Sequence, residues 1–267
     1  MEILESTPTR RCEFCGADLE PRYVELPKGM RTKRREKASW LERLRAGEPA
    51  EVNERLLVGF RACSCPDAVR KAEREERERA EEERAKAEAE LARRYDLAGI
   101  PPKFIGAETD DEQCIATVMG GKGLYVQGPN GTGKTYFAIA VAKRVIRAGK
   151  MVRVTSAVKI KGELFSTFGS KTTEEEVYSR LVRPYLLVID DLGKECDSKT
   201  VVSMLYRVIN ERDERMRPVI ITTNFSKQEL GEKLAESGDV SSAEAIVSRL
   251  FGMTEKIEID GEDRRMQ

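Results

Sequence analysis

The chain has 267 residues, of which 35% are charged, and its 47 basic and 47 acidic residues give a formal net charge of zero. This balance argues against a strongly basic coat for duplex DNA, although local basic patches remain possible. The sequence contains no apolar run of about 18 residues that could span a membrane, and its N-terminus lacks the apolar core of a signal peptide. We therefore expect a cytoplasmic protein without membrane partners, built from one globular domain and an appendage.

The chain contains six cysteines and no histidine. In a reducing compartment, cysteines more often bind metal or lie buried than form disulfides. Four of them form two close pairs, Cys12 with Cys15 and Cys63 with Cys65. Four thiolates complete a tetrahedral zinc site and leave no open position for a catalytic water. The pattern predicts a structural four-cysteine zinc module over residues 1–66, with four unligated thiols as the alternative.

The segment between the two cysteine pairs predicts only short elements. Residues 23–26 and 56–60 are typical of strands, and residues 39–45 of a short helix that follows the basic stretch 31–37. A bound metal would hold together a region that is too small for a large apolar core.

Residues 67–96 are composed mostly of Arg, Lys, Glu and Ala. Good helix formers with opposite charges four residues apart favour a long, solvated helix. Only Val69, Leu91 and a few alanines could occupy the core positions of a coiled coil. We therefore predict a helical linker between two functional units rather than a coiled coil.

A nucleotide-binding α/β region is predicted over residues 97–267. A short apolar strand leads into a glycine-rich turn and then an amphipathic helix, the context that the pattern G-x-x-x-x-G-K-[ST] requires. In such a turn the backbone N–H groups point at phosphate oxygens, and the helix N-terminus adds partial positive charge. The predicted nucleotide-binding residues of this loop are Gly128, Pro129, Asn130, Gly131, Thr132, Gly133, Lys134, Thr135 and Tyr136.

Four polar side chains at the ends of two segments have distinct predicted roles. Lys134 would reach the β- and γ-phosphates, and the Thr135 hydroxyl would ligate magnesium. A buried strand over residues 185–189 ends in Asp190 and Asp191. Because ligands bind at the carboxyl ends of parallel strands, Asp190 would hold magnesium through water and Asp191 would orient or deprotonate the attacking water. The alternative is that these aspartates cap the next helix.

The remaining segments alternate between strand and helix patterns. Strand 151–156 is followed by helix 157–168, strand 218–223 ends in Asn224, and helix 243–250 precedes a closing strand, 254–259. Such alternation predicts a mostly parallel sheet. Capping-box patterns open helices after Thr173 and Ser226. Asn224 would hydrogen-bond the γ-phosphate or the lytic water, with a simple turn residue as the alternative.

Four motifs occur in a fixed order along the chain. They are Gly-Pro-Asn-Gly-Thr-Gly-Lys-Thr at 128–135, Leu-Leu-Val-Ile-Asp-Asp-Leu-Gly at 186–193, Thr-Thr-Asn at 222–224 and Ser-Arg-Leu at 248–250. Together they resemble the DnaC/DnaI-like AAA+ ATPases, which load the replicative helicase, and their IstB-type transposition relatives. The resemblance implies an AAA+ P-loop NTPase core that binds ATP or ADP with Mg²⁺ and hydrolyses ATP.

The resemblance also implies roles for individual residues and partners. Asp191 would be the catalytic carboxylate, Asn224 the sensor 1 residue, and Arg249 the finger that reaches a neighbouring subunit's γ-phosphate. The alternative for Arg249 is a surface ion pair. The implied partners are a hexameric replicative helicase, gripped by the N-terminal zinc module, and single-stranded DNA inside an ATP-dependent homo-oligomer.

Candidates for contact with single-stranded DNA lie on and after helix 157–168. Basic and aromatic side chains together can follow phosphates and stack on bases. Two phenylalanines three residues apart are more often part of a core, so that alternative stays open. The candidates are Lys159, Lys161, Lys171, Phe165 and Phe168.

Two rival functions fit the same motifs. An IstB-like transposition helper would hydrolyse ATP in the same way and recruit a transposase instead of a helicase. A non-hydrolysing, nucleotide-dependent scaffold is also possible, because Asp191 stands where AAA+ proteins more usually have glutamate. The zinc module and the long charged linker favour the helicase loader.

Overall fold

The computed structural model describes residues 9–25, 55–167, 173–193 and 198–261. The basic stretch 31–37, the short helix predicted at 39–45, and the DNA candidates Phe168 and Lys171 lie outside these residues. The chain divides into two compact units, Met1–Lys86 and Ala87–Gln267.

The first unit contains two antiparallel strand pairs. Strand β1 (Arg10–Arg11) pairs with β2 (Asp18–Leu19), and β3 (Pro21–Glu25) pairs with β4 (Arg55–Phe60). The strands predicted at 23–26 and 56–60 are therefore confirmed, with bounds shifted by one or two residues. The two shortest strands flank the first cysteine pair and had no sequence prediction.

The predicted linker helix is present as α1 (Pro66–Ala98). Most of its side chains are exposed, and charged pairs four residues apart lie along it, such as Arg74 with Glu78 and Lys86 with Glu82. Only Tyr95 and Ala98, at its C-terminal end, are buried. These features are those of a solvated helix rather than of a coiled coil.

The second unit is built on a five-stranded, fully parallel sheet. Its strands are β5 (Gly123–Gln127), β6 (Val152–Ser156), β7 (Leu186–Asp190), β8 (Val219–Thr223) and β9 (Thr254–Glu258). Their order across the sheet is β6-β7-β8-β5-β9. The strand that leads into the phosphate loop therefore lies inside the sheet, next to β8, and the carboxyl ends of β5, β7 and β8 meet at one edge.

Seven helices of the described chain accompany this sheet. They are α2 (Glu112–Met119), α3 (Lys134–Arg147), α4 (Ala157–Ser166), α5 (Glu174–Val182), α6 (Lys199–Glu214), α7 (Lys227–Ala235) and α8 (Val240–Met253). The capping boxes predicted at Thr173 and Ser226 are both confirmed by reciprocal hydrogen bonds with Glu176 and Glu229. Helix α2 has no counterpart in the sequence prediction.

Two apolar cores lie on the two faces of the sheet. In β7, Leu187 and Ile189 belong to one core, while Leu186 and Val188 belong to the other. The continuous apolar run of this strand follows from burial on both faces, as in other parallel sheets. This double packing fixes the strand whose end carries Asp190.

Candidate nucleotide site and cysteine cluster

The loop between β5 and α3 has the backbone shape that a phosphate site requires. Gly131 and Gly133 have φ angles of +79° and +100°, a left-handed region that glycine enters without strain. A Cβ atom on Gly128 would lie 2.1 Å from the carbonyl oxygen of Ile259. Only glycine fits at this position, because the loop begins directly against the chain that follows β9.

The end of this loop presents positive charge at the start of a helix. Helix α3 begins at Lys134, and among the described residues no side chain caps it at Gly133. The Lys134 side chain is buried, and its Nζ donates to the carbonyl oxygens of Gly128 and Pro129, at 2.9 and 2.6 Å. The lysine therefore lies across its own loop, where an anion would be surrounded by N–H groups.

The structure brings Thr135 and Asp190 together. The Thr135 hydroxyl donates to Oδ1 of Asp190 at 2.8 Å, so that the loop and the end of β7 share a hydrogen bond. The next described helix after β7, α6, has Ser198 at its N-cap position, so neither aspartate caps that helix. Asp191 follows with a φ of +55°, which is uncommon for a residue other than glycine.

Sequence reasoning missed one polar residue of this site, Thr222. Its hydroxyl donates to Oδ1 of Asp190 at 2.6 Å and accepts a hydrogen bond from the backbone N–H of Asp191 at 2.9 Å. Thr222 is fully buried in β8. Its position next to Asn224 in the Thr-Thr-Asn motif was the available signal, but threonine is common in strands for reasons of packing alone.

Asn224 lies at the end of β8 and contacts the phosphate loop. Its Nδ2 donates to Oδ1 of Asn130 at 2.9 Å. Its own Oδ1 is buried and has no hydrogen-bond partner among the described residues. A buried amide oxygen without a partner can accept from a water or a ligand, which suits the predicted role of Asn224 better than that of a simple turn residue.

The Tyr136 hydroxyl contacts a different segment from the rest of the loop. It accepts from the N–H of Glu108 at 3.3 Å and donates to the carbonyl oxygen of Gly106 at 3.4 Å. Lys143, a buried residue further along α3, donates to the Ala107 carbonyl oxygen and to Glu108. Helix α3 therefore holds the segment before α2 beside the phosphate loop.

Arg249 lies on α8, and its described contacts are with residues of α8 and α6. Its NH1 donates to the carbonyl oxygen of Ala245 at 3.3 Å, and its guanidinium lies 5.4 Å from the ring centre of Tyr206. Among the described residues it forms no ion pair.

Of the DNA candidates on α4, Phe165 is 56% exposed and Lys159 is also exposed. The alternative that Phe165 belongs to the core is therefore wrong, because Phe165 lies outside the face of α4 that buries Ile160 and Leu164. Lys161 is half-buried.

The four cysteines Cys12, Cys15, Cys63 and Cys65 converge in the first unit, with all sulfur atoms within 4.8 Å of one another. The shortest contacts join Cys15 with Cys63 at 3.4 Å and Cys12 with Cys65 at 3.8 Å. Sulfurs bound to one tetrahedral zinc ion, each at about 2.3 Å, lie about 3.8 Å apart. The four sulfur atoms therefore form one cluster, and the distances between them fit ligands of a single Zn²⁺ ion.

Local geometry explains how each pair is presented. The N–H of Gly16 donates to the carbonyl oxygen of Cys12, and Gly16 has a φ of +71°, so the first pair sits on a tight turn. The second pair immediately precedes α1, whose Val69 N–H donates to the carbonyl oxygen of Cys65. The C-x-C spacing thus places the second pair at the start of the linker helix.

The sheet order, the phosphate loop and the carboxylates at the end of β7 are those of a P-loop nucleotide-binding core with an AAA+ fold. The family model of the IstB-like ATP binding protein matches residues 71–267, most of the chain. The chain therefore belongs to the IstB-like ATP-binding protein family.

Relatives of two kinds are similar to this chain. The replicative helicase loader DnaC of Escherichia coli K12 is 31% identical over 110 residues, which cover 41% of this chain and 45% of that protein. An ATP-binding protein of insertion sequence IS21 from Pseudomonas aeruginosa is 27% identical over 153 residues, covering 57% and 56% respectively. The chain thus spans about half the length of the curated relatives it matches.

The crystal structure of DnaI has the same fold as the second unit. It aligns with a TM-score of 0.53 and 24% identity, covering 60% of this chain and 95% of that structure. Among the described residues, no helix has the length and apolar character needed to cross a membrane.

Proposed function

We propose that this protein is an ATP-dependent loader that places a hexameric replicative DNA helicase on single-stranded DNA. The observation that carries the ATP-dependent part is the hydrogen bond between Thr135 and Asp190, which joins the phosphate loop to the carboxylate edge of the sheet. The similarity to the loader DnaC supports the helicase part. The four-cysteine cluster before the ATPase region gives the chain a separate unit that is available to grip a partner.

In the proposed reaction, the phosphate loop holds the phosphates of ATP and Lys134 contacts the β- and γ-phosphates. Thr135 and Asp190 have the hard oxygen donors that Mg²⁺ prefers, and the bound metal would neutralise phosphate charge. Asp191 orients or deprotonates the attacking water, and Asn224 hydrogen-bonds that water or the γ-phosphate. Asn224 suits this role because its buried Oδ1 lacks a partner within the described chain.

Arg249 acts between subunits in this proposal. A guanidinium supplied by a neighbouring subunit would neutralise charge at the γ-phosphate and make hydrolysis depend on assembly. Within its own chain Arg249 contacts Ala245 and Tyr206, and the proposed role requires an ATP-dependent homo-oligomer. Exposed Lys159 and Phe165 would face single-stranded DNA in that assembly.

We assign three parts of the chain to three tasks. Residues 1–66 form the zinc-binding unit that contacts the helicase, residues 67–96 form the helical linker, and residues 97–267 form the ATPase domain. Zinc has a structural role here, since four thiolates leave no coordination position for water.

The ATPase part is tested by substituting the proposed catalytic carboxylate. Asp191→Asn should lower the turnover rate by about 100-fold or more, while the affinity for ATP stays within a few-fold, because an amide cannot act as a base. Turnover is measured by phosphate release and affinity with a fluorescent ATP analogue. The matched control is Asp213→Asn at an exposed position of α6, which should leave both unchanged. Equal turnover in Asp191→Asn and wild type would favour the scaffold function or another base.

The loader part is tested by co-elution with the replicative helicase of the source organism, measured by size exclusion with light scattering, with and without ATP. We expect a stable complex that the double variant Cys12→Ser, Cys15→Ser loses and that Cys114→Ser, a buried thiol of the second unit, retains. A complex that both variants keep would mean that the zinc unit does not grip the helicase.

A second function is supported by a specific observation. The family model is IstB-like, and the IS21 protein covers a larger share of this chain than DnaC does. Absence of any helicase complex, together with ATPase activity that DNA stimulates, would favour a transposition helper. Co-elution with a transposase of the source organism would then be the next measurement.

A further inference from the structure

Thr222 connects the two carboxylate residues at the edge of the sheet. Its hydroxyl lies 2.6 Å from Oδ1 of Asp190 and 2.9 Å from the backbone nitrogen of Asp191. Thr222 is fully buried, so water does not compete for either bond. One side chain on β8 thus contacts both residues that the ATPase proposal places at the end of β7.

The direction of each hydrogen bond is fixed by its partners. A backbone N–H can only donate, so the Thr222 oxygen accepts from Asp191. An ionised carboxylate can only accept, so the Thr222 hydroxyl proton goes to Asp190. The two bonds form a chain that runs from the Asp191 amide through the hydroxyl to the Asp190 carboxylate, and each bond polarises the next.

These hydrogen bonds restrain two things: the rotation of the Asp190 carboxylate and the backbone conformation of Asp191. Thr135 and Thr222 both donate to the same oxygen of Asp190, Oδ1, which fixes the rotation of that carboxylate from two sides. The amide of Asp191 is held while its φ angle is +55°, a region that is uncommon for residues other than glycine. The Thr222 carbonyl oxygen also accepts from the N–H of Leu192 at 2.9 Å, so the turn after β7 is bound to Thr222 on both sides of its strained residue.

We propose that Thr222 is a positioning residue for ATP hydrolysis, which orients Asp190 for magnesium and Asp191 for the attacking water. This role rests on the proposed ATPase function and adds a residue to it. Backbone strain at functional sites persists only where the surrounding structure holds it. The Thr222 hydroxyl contributes to that hold through its hydrogen bond with the Asp191 amide.

The experiment compares Thr222→Val with Thr222→Ser in the full-length protein. Valine keeps the β-branched shape but removes both hydrogen bonds of the Thr222 hydroxyl, the one to Asp190 and the one from the Asp191 amide, whereas serine keeps the hydroxyl. Thr155→Val is the matched control, because Thr155 is also a buried strand threonine and its hydroxyl has no partner among the described residues.

We expect Thr222→Val to lower kcat by about tenfold or more and to raise the half-saturating Mg²⁺ concentration by about threefold or more, with KM for ATP within about twofold. Thr222→Ser should restore both values to within about threefold of wild type. Thr155→Val should match wild type in every measurement. A purely structural role of Thr222 would lower the melting temperature but would not raise the Mg²⁺ requirement of the folded protein.

Three outcomes would overturn the proposal. In the first, Thr222→Val keeps the wild-type kcat and Mg²⁺ dependence while Asp191→Asn is inactive, so the ATPase function stands and the role of Thr222 is wrong. In the second, Thr222→Ser fails as severely as Thr222→Val, so the methyl group rather than the hydroxyl matters. In the third, wild type itself does not hydrolyse ATP, and binding of the fluorescent analogue has the same Mg²⁺ dependence in wild type and Thr222→Val. If wild type does not hydrolyse ATP but Thr222→Val needs more Mg²⁺ than wild type to bind the analogue, the hydrolysis proposal is wrong. The orientation of Asp190 by Thr222 is then still supported.

Discussion

The two units of this protein are stabilised by different kinds of interaction. In the first unit, Cys12 is the only buried apolar residue among the described side chains up to residue 86. The second unit has two apolar cores, one on each face of a five-stranded sheet. Regions without a sufficient core usually require metals or disulfides. We infer that the first unit depends on zinc for its fold, while the second unit folds through the burial of apolar surface.

This difference matches the separate tasks proposed for the units. A metal-centred module can keep most of its side chains on the surface, where they are available to a partner. A nucleotide site instead needs side chains held in fixed positions, which packed strands supply. The predictions below test whether the two units differ as described.

The largest expected effect is the loss of the first unit's fold on removal of zinc. Structural zinc contributes about 10–16 kcal/mol in small peptides, more than the about 3–5 kcal/mol that a small apolar core supplies. A strong chelator, or Cys63→Ser, should remove protection from hydrogen exchange at residues 9–25 and 55–65. Protection of the second unit's sheet should stay unchanged. The measurement is hydrogen exchange by mass spectrometry, with metal analysis of the same samples.

Cys114→Ser is the control for thiol substitution, because Cys114 is buried in α2 and lies outside the cluster. It should keep one zinc per chain. Metal-free wild-type protein with full protection at residues 9–25 would contradict the dependence on zinc.

The next effect concerns Arg212, a charged residue inside the second unit. It is fully buried and donates five hydrogen bonds, all to backbone carbonyl oxygens, namely those of Leu181, Val182, Pro184, Tyr185 and Pro218. Burial, with a smaller contribution from the charge of Arg217, lowers the pKa of Arg212 to about 9. Arg212→Met would remove all five of these hydrogen bonds and should destabilise the second unit by about 3 kcal/mol.

Chemical denaturation of the second unit measures this loss. Arg207→Met is the matched control on the same helix, since Arg207 is half-exposed and pairs with Glu174 and Glu175. Its effect should stay within about 1 kcal/mol. Equal effects of the two substitutions would show that the carbonyl contacts of Arg212 contribute little.

The sequence predicted the parts of the fold whose signals are local. The phosphate loop, the apolar run before Asp190 and both capping boxes depend on neighbours within a few residues, and the structure has all of them. Helix α2 was missed because it is only 8 residues long, although Asp111 as its N-cap and its buried Cys114, Ile115 and Val118 were visible signals.

Features that depend on contacts between distant segments could not be predicted in the same way. Thr222 contacts Asp190 only because β7 and β8 are adjacent, and strand order is not written in any one segment. Arg212 has the spacing of an ordinary helix residue, and its burial follows from the five carbonyl oxygens that converge on it. The role of Arg249 depends on a second subunit and therefore stays a prediction.

The smallest expected effect is on the stability that ion pairs contribute, and the two units differ in how these pairs are built. In the first unit Glu13 and Lys71 form an exposed pair, whereas in the second unit Arg147 and Lys143 converge on Glu108.

Hydrogen bonds from Arg147, and then those from Lys143, lower the pKa of Glu108 from 4.5 to about 2, against the opposing effect of burial. Because its folded-state pKa is lowered, the stabilisation is complete above about pH 4.5 and is lost as the pH falls towards 2. Glu108 is half-exposed, so solvent screening limits this contribution to about 1 kcal/mol.

Glu108→Gln should therefore destabilise the second unit at pH 7 and have progressively less effect as the pH is lowered. The measurement is the difference in unfolding free energy between wild type and variant from pH 7 to pH 2.5. Glu13→Gln, which removes the exposed pair of the first unit, should leave the second unit's transition unchanged at every pH. A difference between wild type and Glu108→Gln that stays constant with pH would contradict this assignment, because a constant loss indicates packing rather than the charge of the carboxylate.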